Sequence, residues 1–322
     1  MSAIAEKTMR AITATAWGGP DVLQETTVAR PTPGPTEILV AVHAAGVNPA
    51  DWKSRASGGF GMWSDPPILG YDISGVVEAV GPGASLFAPG DEVFGMPRFP
   101  EQAGGYAEYV AAPSRHFAPK PATLAHVEAA ALPLVGLTAW QALTEVAQFR
   151  AGQRVLIHAA AGGLGHIAVQ IAKARGAYVI GTASAAKHDL LRSLGADELI
   201  DYTAVDFAET VRDVDVAVDP IGGDYALRSL PTIRAGGLMI SLNNPGEPGP
   251  QAEAAARARQ IRTGFTLVEP DRVGMLAIAE LASKGLLRPM VAQVFPLSEA
   301  QRAHELGESN RTAGKLVLQV RP

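Results

Sequence analysis

The sequence predicts an α/β protein in which a barrel-like, β-rich part is combined with a doubly wound parallel sheet. Roughly the first 120 residues contain short segments rich in Val, Ile and Leu, separated by Pro–Gly turns. From about Leu124 onward, apolar segments of strand length alternate with helical segments. A glycine turn, Gly162-Gly163-Leu164-Gly165, lies between one of these strands and the helix that follows it.

Composition excludes several classes of protein. The chain has 322 residues, and a typical domain size of about 150 residues predicts two domains. Hydrophobic residues make up 47% and charged residues 18%, as in an ordinary globular protein. The net charge of −5 argues against nucleic acid as a partner. The absence of cysteine excludes disulfides, zinc–cysteine sites, iron–sulfur clusters and a cysteine nucleophile.

No targeting or membrane segment is predicted. Residues Met1–Arg10 are polar and lack the apolar region of a signal peptide. The most apolar stretch, Val155–Ala172, is interrupted by His158, His166 and three glycines. We therefore expect a soluble, cytoplasmic protein without a membrane partner.

The first part is predicted to form short strands between turns, among them Glu37–Ala44, Ser74–Val80 and Glu92–Phe94. In the second part the predicted strands are Arg154–Ala160, Tyr178–Thr182, Leu199–Asp201, Val214–Val218, Leu238–Leu242 and Phe265–Val268. The intervening helices are His166–Arg175, Lys187–Leu194, Tyr225–Ile233 and Met275–Lys284. This alternation predicts right-handed βαβ units on a parallel sheet. A last strand is predicted at Lys315–Val320.

The glycine turn is typical of a phosphate cradle. The dinucleotide fingerprint G-x-G-x-x-G is here Ala160-Ala161-Gly162-Gly163-Leu164-Gly165, with alanine at the first glycine position. Gly162 permits close approach of the backbone to a pyrophosphate, and Gly165 permits packing of the helix on the strand. The helix N-terminus then faces the phosphates. The alternative is a tight strand–helix turn without a ligand.

The end of the next strand favours NADPH over NADH as cofactor. An NAD site places an acid there for the ribose 2′-hydroxyl, but no acid occurs before Asp189. Ser184 and Lys187 offer a hydroxyl and a cation to a 2′-phosphate instead. Tyr202, after the third strand, could cover the same phosphate. The alternatives are an exposed helical lysine at Lys187 and a partly buried structural tyrosine at Tyr202.

Several motifs resemble the medium-chain dehydrogenase/reductase superfamily, within it the zinc-independent quinone oxidoreductase branch, which includes 2-alkenal and enone reductases. They are the runs Gly46–Lys53, Gly70–Val77, Pro89–Val93, Val155–Lys173 and Gly314–Leu318. The resemblance covers essentially the whole chain. It departs from the zinc alcohol dehydrogenases, because Asn48 replaces their first cysteine and Tyr71-Asp72 replaces their His-Glu pair. No metal site is expected.

The resemblance implies two domains. A GroES-like, partly open β-barrel catalytic domain would comprise 1–123 plus 290–322, and a Rossmann NADPH-binding domain would comprise 124–289. It also implies a homodimer formed through edge strands of the nucleotide domain, with Leu238–Leu242 and Phe265–Val268 as candidates.

Three residues of the barrel are candidate catalytic residues. By resemblance, Asn48 lies near the nicotinamide or the substrate. Lys53 could donate a hydrogen bond to the developing oxyanion or relay a proton, and Asp51 could hold Lys53 or the cofactor ribose. The alternatives are a turn at Asn48-Pro49, a helix cap at Asp51 and a solvated Lys53.

Further candidates would surround the nicotinamide and the substrate. By resemblance these are Thr138, Ile221 in the turn Asp219–Gly223, and Asn243. Phe60 and Trp63, in a glycine-rich loop, could form an aromatic wall for a flat small-molecule substrate. The expected activity is hydride transfer from NADPH to a quinone. The alternatives are reduction of the C=C bond of an α,β-unsaturated ketone or aldehyde, and NADPH binding without catalysis.

Overall fold

The computed structural model describes residues 7–58, 67–244 and 246–322. Its strands are β1 Thr8–Ala14, β2 Leu23–Ala29, β3 Glu37–Val47, β4 Asp72–Val80, β5 Glu92–Gly95, β6 Tyr109–Pro113, β7 Phe117–Pro119, β8 Arg154–Ile157, β9 Tyr178–Thr182, β10 Glu198–Ile200, β11 Val214–Asp219, β12 Ile233–Ser241, β13 Arg262–Phe265, β14 Val291–Pro296 and β15 Lys315–Gln319. Its α-helices are α1 Pro49–Ser57, α2 His126–Ala130, α3 Pro133–Trp140, α4 Gly165–Ala174, α5 His188–Ser193, α6 Phe207–Thr210, α7 Tyr225–Ser229, α8 Gly249–Ala258, α9 Arg272–Ser283 and α10 Ala300–Glu308.

The chain forms two compact units. The terminal unit combines Met1–Leu137 with Glu269–Pro322, and the inserted unit is Thr138–Val268. The inserted unit is shorter at both ends than the predicted nucleotide-binding domain, 124–289, because α2 packs on β3 and β4 while α9 packs on β7. No helix among the described residues has both the length and the apolar character needed to cross a membrane.

The terminal unit is built around a mixed sheet in the order β14-β15-β3-β4-β5-β7, with β6 also paired to β3. All its neighbouring pairs are antiparallel except β14 with β15. The long strand β3 is mostly buried, because Ile38, Val40 and Val42 point into the core. The C-terminal strand β15 pairs with β3, so segments from both parts of this unit share one sheet, while β1 and β2 form a separate two-stranded sheet.

The inserted unit contains six parallel strands in the order β10-β9-β8-β11-β12-β13. The strand order reverses between β8 and β11, as in a Rossmann fold, so the predicted doubly wound sheet is confirmed. Residues Val155–Ile157 of β8 are fully buried, which explains their continuous apolar sequence.

One prediction about the sheet edges is wrong. The segment Leu238–Leu242 belongs largely to β12, which pairs with β11 on one side and with β13 on the other. It therefore has no free edge. The second candidate, Phe265–Val268, overlaps only the end of β13, which is the outermost strand. Residues Arg262–Phe265 of β13 pair with Leu238–Ser241 of β12 on one side only, so β13 is the edge strand of this sheet among the described strands.

Candidate functional site

The glycine turn between β8 and α4 has a geometry that requires glycine at its end. The Gly162 amide donates a hydrogen bond to the Ala159 carbonyl oxygen at 2.8 Å, which closes the turn. Ala159 itself has φ +46, a left-handed conformation. A Cβ atom on Gly165 would lie only 2.2 Å from the Ala159 carbonyl oxygen. The backbone of the turn can therefore lie against the start of α4 only with glycine at position 165.

The same turn fits a diphosphate. Gly162, Gly163 and Leu164 are half-buried, so their backbone is accessible. Among the described side chains none caps the N-terminus of α4, whose N-cap residue is Leu164. The amides of His166 and Ile167 bond the Gly162 and Leu164 carbonyl oxygens, which leaves those of Gly163, Leu164 and Gly165 as donors in the turn. Together with the positive end of the helix dipole, these donors suit an anion. The predicted residue Ala160 is instead fully buried, and its amide bonds the Thr182 carbonyl oxygen at 3.0 Å.

The residues predicted for the 2′-phosphate lie where β9 and β10 end. Ser184 is the N-cap residue of a short 3₁₀ helix, Ala185–Lys187, and both Ser184 and Lys187 are half-buried. The two strand ends are joined by a hydrogen bond of 3.0 Å from the Ala183 amide to the Ile200 carbonyl oxygen. Tyr202, two residues beyond β10, is 53% exposed. All three residues therefore lie at the carboxyl edge of the parallel sheet.

The turn after β11 is tied to the end of β12. Asp219 Oδ1 accepts hydrogen bonds from the amides of Ile221 at 2.8 Å and Gly222 at 3.1 Å. Asn243 Nδ2 donates to the Ile221 carbonyl oxygen at 2.7 Å. Burial raises the pKa of Asp219, and these amide donors oppose that rise. The structure thus brings Ile221 and Asn243 together, at the same sheet edge as the glycine turn.

Sequence analysis missed His158, which follows β8 and is fully buried. Its Nε2 lies 2.8 Å from Ser229 Oγ, whose own hydroxyl donates to the Tyr225 carbonyl oxygen. Nε2 therefore carries the proton of the ring. Burial, reinforced by the Arg228 charge, lowers the pKa of His158 to about 3. The neutral imidazole packs against the rings of Phe207 and Tyr225. The predicted residue Thr138 is likewise buried, on α3.

In the terminal unit, four buried side chains form a polar cluster: Asn48, Asp51, Asp72 and Lys315. Asn48 is the N-cap residue of α1, and its Nδ2 donates to Asp72 Oδ2 at 2.9 Å. Lys315 Nζ donates to Asn48 Oδ1 and to the Val47 carbonyl oxygen. Because lysine only donates and a carboxylate only accepts, these two partners fix the orientation of the Asn48 amide.

Lys315 and Asp72 form a buried ion pair, with Nζ and Oδ2 3.7 Å apart. Burial raises the pKa of Asp72 and lowers the pKa of Lys315, and each charge opposes the shift of the other. Asp72 Oδ1 also accepts a hydrogen bond of 2.7 Å from the Leu134 amide. These donors compensate the carboxylate for its removal from water.

The pKa of Asp51 is set by opposing effects of burial, neighbouring charges and hydrogen bonds. Its Oδ2 accepts hydrogen bonds from the Asn48 amide at 2.7 Å and from the Tyr106 hydroxyl at 3.0 Å. Burial raises the pKa of Asp51 to about 7, helped by the Asp72 charge, while the two donors and Lys315 oppose the rise. The predicted helix-cap alternative is therefore also present in the structure, since Asp51 bonds the amide of the N-cap residue.

Lys53 is not brought together with Asn48 and Asp51. Its side chain is exposed, because Asp51 and Arg55 face inward one helical turn apart and residue 53 lies on the opposite face. The buried cation beside Asn48 is Lys315, which sequence analysis placed only in a strand. A charged residue opening the apolar run Leu316–Leu318 was the available signal. Phe60 and Trp63 lie outside the described residues.

Within the described ranges, no three His, Asp or Glu side chains come together in a way that could hold a metal ion.

Comparison with known proteins agrees with this geometry. Residues 34–122 match the alcohol dehydrogenase GroES-like domain, and residues 194–318 match the zinc-binding dehydrogenase family. Quinone oxidoreductase from Rattus norvegicus is 32% identical, over 98% of this chain and 99% of the rat protein.

Two solved structures have the same fold. Quinone oxidoreductase from Coxiella burnetii is 37% identical with a TM-score of 0.91, covering 98% of this chain and 100% of that one. Quinone oxidoreductase from Escherichia coli, solved in complex with NADPH, is 31% identical with a TM-score of 0.86, over 98% and 100% of the two chains. With a GroES-like domain, a Rossmann sheet and full-length relatives of this kind, the chain belongs to the quinone oxidoreductase branch of the medium-chain dehydrogenase/reductase superfamily.

Proposed function

We propose that this chain is an NADPH-dependent, zinc-independent oxidoreductase that reduces quinones. The observation that carries the proposal is the uncapped start of α4 behind a turn that only glycine permits, with a hydroxyl and a cation at the neighbouring strand end. Those groups suit a dinucleotide that bears a 2′-phosphate. The NADPH complex of the Escherichia coli relative supports the same cofactor.

We assign the predicted cofactor residues by their place on the sheet edge. The backbone of Gly162, Gly163, Leu164 and Gly165 would hold the pyrophosphate, with Ala160 packing behind it. Ser184, Lys187 and Tyr202 would hold the 2′-phosphate. Ile221 and Asn243 would lie beside the nicotinamide ribose, and Thr138 remains a candidate for the nicotinamide itself.

NADPH, when bound, supplies the hydride for reduction of the quinone. The protein must then stabilise the negative charge that develops on the quinone oxygen and supply a proton. In the terminal unit, Lys315 provides a buried positive charge, Asn48 an oriented side-chain amide, and Asp51 a carboxylate that bonds the backbone amide of Asn48 at the start of α1. We therefore assign Asn48 and Asp51 to the catalytic part of the protein, and Lys53 only as an exposed donor.

The test is NADPH oxidation, with NADH in parallel, against 1,4-benzoquinone, 9,10-phenanthrenequinone, an alkenal, a vinyl ketone and a saturated ketone. Quinone turnover with NADPH supports the proposal. Turnover of the alkenal or vinyl ketone to a saturated carbonyl product, without quinone turnover, would replace it by C=C reduction. Tight NADPH binding without turnover of any acceptor would indicate a binding protein.

Cofactor preference has its own variant. Ser184→Asp places a carboxylate where the 2′-phosphate is proposed to bind, and charge repulsion should weaken NADPH binding at least tenfold, about 1.4 kcal/mol. NADH binding should be unchanged or improved. Ser193→Asp, an exposed serine on α5, is the matched control and should change neither. Equal use of both cofactors by the wild-type protein would contradict the 2′-phosphate assignment.

We also propose a homodimer that forms through β13, together with a cytoplasmic location. Support for the dimer is the position of β13 at the edge of the sheet, where it pairs only with β12 among the described strands. Support for the location is the absence of cysteine.

A further inference from the structure

A chain of buried hydrogen bonds runs through the terminal unit from α10 to Asp51. Arg55 Nη1 lies 2.9 Å from His304 Nδ1, and His304 Nε2 lies 3.2 Å from the Tyr106 hydroxyl. The Tyr106 hydroxyl in turn lies 3.0 Å from Asp51 Oδ2. All four side chains are at most 2% exposed. The chain joins residues from α1, α10 and the segment before β6.

The hydrogen bonds of this chain have only one consistent direction. Arg55 can only donate, so His304 Nδ1 accepts and the proton of the neutral ring is on Nε2. Nε2 then donates to the Tyr106 oxygen, which leaves the Tyr106 proton to be donated to Asp51. Burial and the Arg55 charge lower the pKa of His304 to about 3, so the ring stays neutral at physiological pH.

Arg55 is itself held at its other nitrogens. Its Nε donates to the Gly18 carbonyl oxygen at 3.0 Å, and its Nη2 pairs with Glu308. The side chain of Glu308 is 32% exposed, so the chain begins at the protein surface. Because Gly18 and Glu308 hold the guanidinium beside His304 Nδ1, the tautomer of His304 is fixed as well.

The donors that reach Asp51 suit its ionised form. Both the Asn48 amide and the Tyr106 hydroxyl point at Oδ2. Oδ1 is buried and has no hydrogen-bond partner among the described residues, so it stabilises neither form, and the two donors to Oδ2 are what favour ionisation. Burial and the Asp72 charge oppose ionisation, and Lys315 favours it. Loss of one donor should therefore change the charge of Asp51 near neutral pH.

We propose that Arg55, His304 and Tyr106 are positioning residues, which keep Asp51 ionised and thereby hold Asn48 and the start of α1 in the arrangement that the reaction needs. This inference rests on the proposed function, because Asn48 and Asp51 are assigned there to the catalytic part. It adds a pH dependence, since protonation of Asp51 removes the negative charge from the acceptor of the Asn48 backbone amide and weakens that hydrogen bond.

The charged and titratable groups around Asp51 come from every neighbouring element. They are Asp72 on β4, Lys315 on β15, His304 on α10, Arg55 on α1, and the tyrosines Tyr71 and Tyr106. Burial raises the pKa of Tyr71 and Tyr106 above the ordinary value of tyrosine, and Lys315 remains paired with Asp72. Burial also raises the pKa of Asp72 and lowers that of Lys315, and Asp51, whose pKa is about 7, is the carboxyl that the Tyr106 hydroxyl and the Asn48 backbone amide bond directly.

The primary test is the pH profile of kcat for quinone reduction in Tyr106→Phe. A hydrogen bond to a charged group favours the charged form, and its loss should raise the acidic limb of the profile by one to two pH units, to about pH 8 or 9. At pH 7, kcat should fall about fivefold to fiftyfold and recover at high pH. Tyr71→Phe is the matched control, because this buried tyrosine bonds Ser54 and the Pro100 carbonyl oxygen, and its profile should not move.

Two variants of His304 distinguish its role as a hydrogen-bond partner from its role in filling space. In His304→Gln the amide can accept from Arg55 and donate to Tyr106, so the profile should stay near that of the wild type. His304→Leu should shift it as Tyr106→Phe does. A profile that moves equally in both His304 variants would show that volume, and not the direction of the hydrogen bonds, matters.

A direct readout does not depend on turnover. The titration of Asp51 can be followed by carboxyl ¹³C NMR of aspartate-labelled protein, with the signal assigned by Asp51→Asn. Tyr106→Phe should raise the midpoint by one to two units. An unchanged midpoint would overturn the inference even if quinones are reduced. A raised midpoint in a protein that reduces no quinone would keep the hydrogen-bond chain and reject the proposed function.

Discussion

At the scale of single residues, the backbone around Gly165 excludes every side chain larger than a hydrogen atom. A Cβ atom there would approach two backbone groups, the Ala159 carbonyl oxygen at 2.2 Å and Ala160 Cα at 2.7 Å. Backbone atoms cannot move aside as a flexible side chain can. The close packing of the turn on the helix, which forms the proposed phosphate cradle, therefore depends on glycine having a hydrogen atom in place of Cβ at position 165.

Gly165→Ala should deform the turn. We expect the free energy of unfolding to fall by about 1–3 kcal/mol, as for other overpacked sites, and NADPH binding to weaken at least tenfold. Urea unfolding and titration of NADPH fluorescence measure the two effects. Gly264→Ala is the control, because a Cβ at that position meets nothing within 4 Å. Equal losses in both variants would contradict the steric argument.

At the scale of elements, the pair of Lys315 and Asp72 connects β15 with β4 across β3. The C-terminal strand is therefore held by a buried ion pair as well as by its ladder with β3. Removing one partner of such a pair leaves an uncompensated charge away from water, which is far more costly than the pair itself is stabilising.

Lys315→Met should lower the free energy of unfolding by about 3–5 kcal/mol, because Asp72 loses its cation. Lys315→Met combined with Asp72→Asn should recover most of that loss. Urea unfolding of the wild type, the single variant and the double variant provides the comparison. Lys284→Met, which breaks an exposed pair with Glu280 on α9, should cost less than about 1 kcal/mol. A double variant as unstable as Lys315→Met would show that volume dominates at this site.

At the scale of the whole molecule, the proposed homodimer depends on the exposed edge of one sheet. Edge strands expose unpaired amide and carbonyl groups, and a lysine on the edge opposes pairing with a second sheet. β13 is short and its Gly264 has open space around it. The edge is therefore accessible to a neighbouring strand.

Gly264→Lys should convert the dimer into a monomer, because a lysine on an edge strand opposes pairing with a second sheet. Light scattering coupled to size-exclusion chromatography measures the mass of each variant. Gly264→Ser, which adds a small neutral side chain, should remain dimeric. A wild-type protein that elutes as a monomer at micromolar concentration would reject the proposed dimer outright.

Local sequence predicted the inserted unit well, because its signals are local. The apolar run of β8, the glycine turn and α4 are consecutive in the chain, and buried parallel strands need continuous apolar sequence. The order of the strands agrees with the family resemblance. The wrong edge at Leu238–Leu242 arose because an apolar strand has the same sequence character in the middle and at the edge of a sheet.

Only the local part of the polar cluster in the terminal unit could be predicted from the sequence. Asn48 and Asp51 stand three residues apart at a helix start, a local pattern that sequence analysis could find. Lys315, which bonds Asn48, is 267 residues away from it, and His304, which reaches Asp51 only through Tyr106, is 249 residues from Arg55. A single sequence does not indicate which distant side chains meet. Lys53 was chosen as the cation because it is near in sequence, but it lies on the outer face of α1.

The construction of the terminal unit from both ends of the chain has a consequence for synthesis on the ribosome. The inserted unit is continuous, so all its strands are synthesised before β14 and β15. Asp51 and Asp72 emerge early, but His304 and Lys315 are made last. The buried cluster of the terminal unit therefore cannot form until translation is almost complete, and until then Asp51 and Asp72 stay in contact with water. Limited proteolysis of stalled nascent chains should find the inserted unit protected first and the N-terminal segment protected only after release; simultaneous protection would contradict this order.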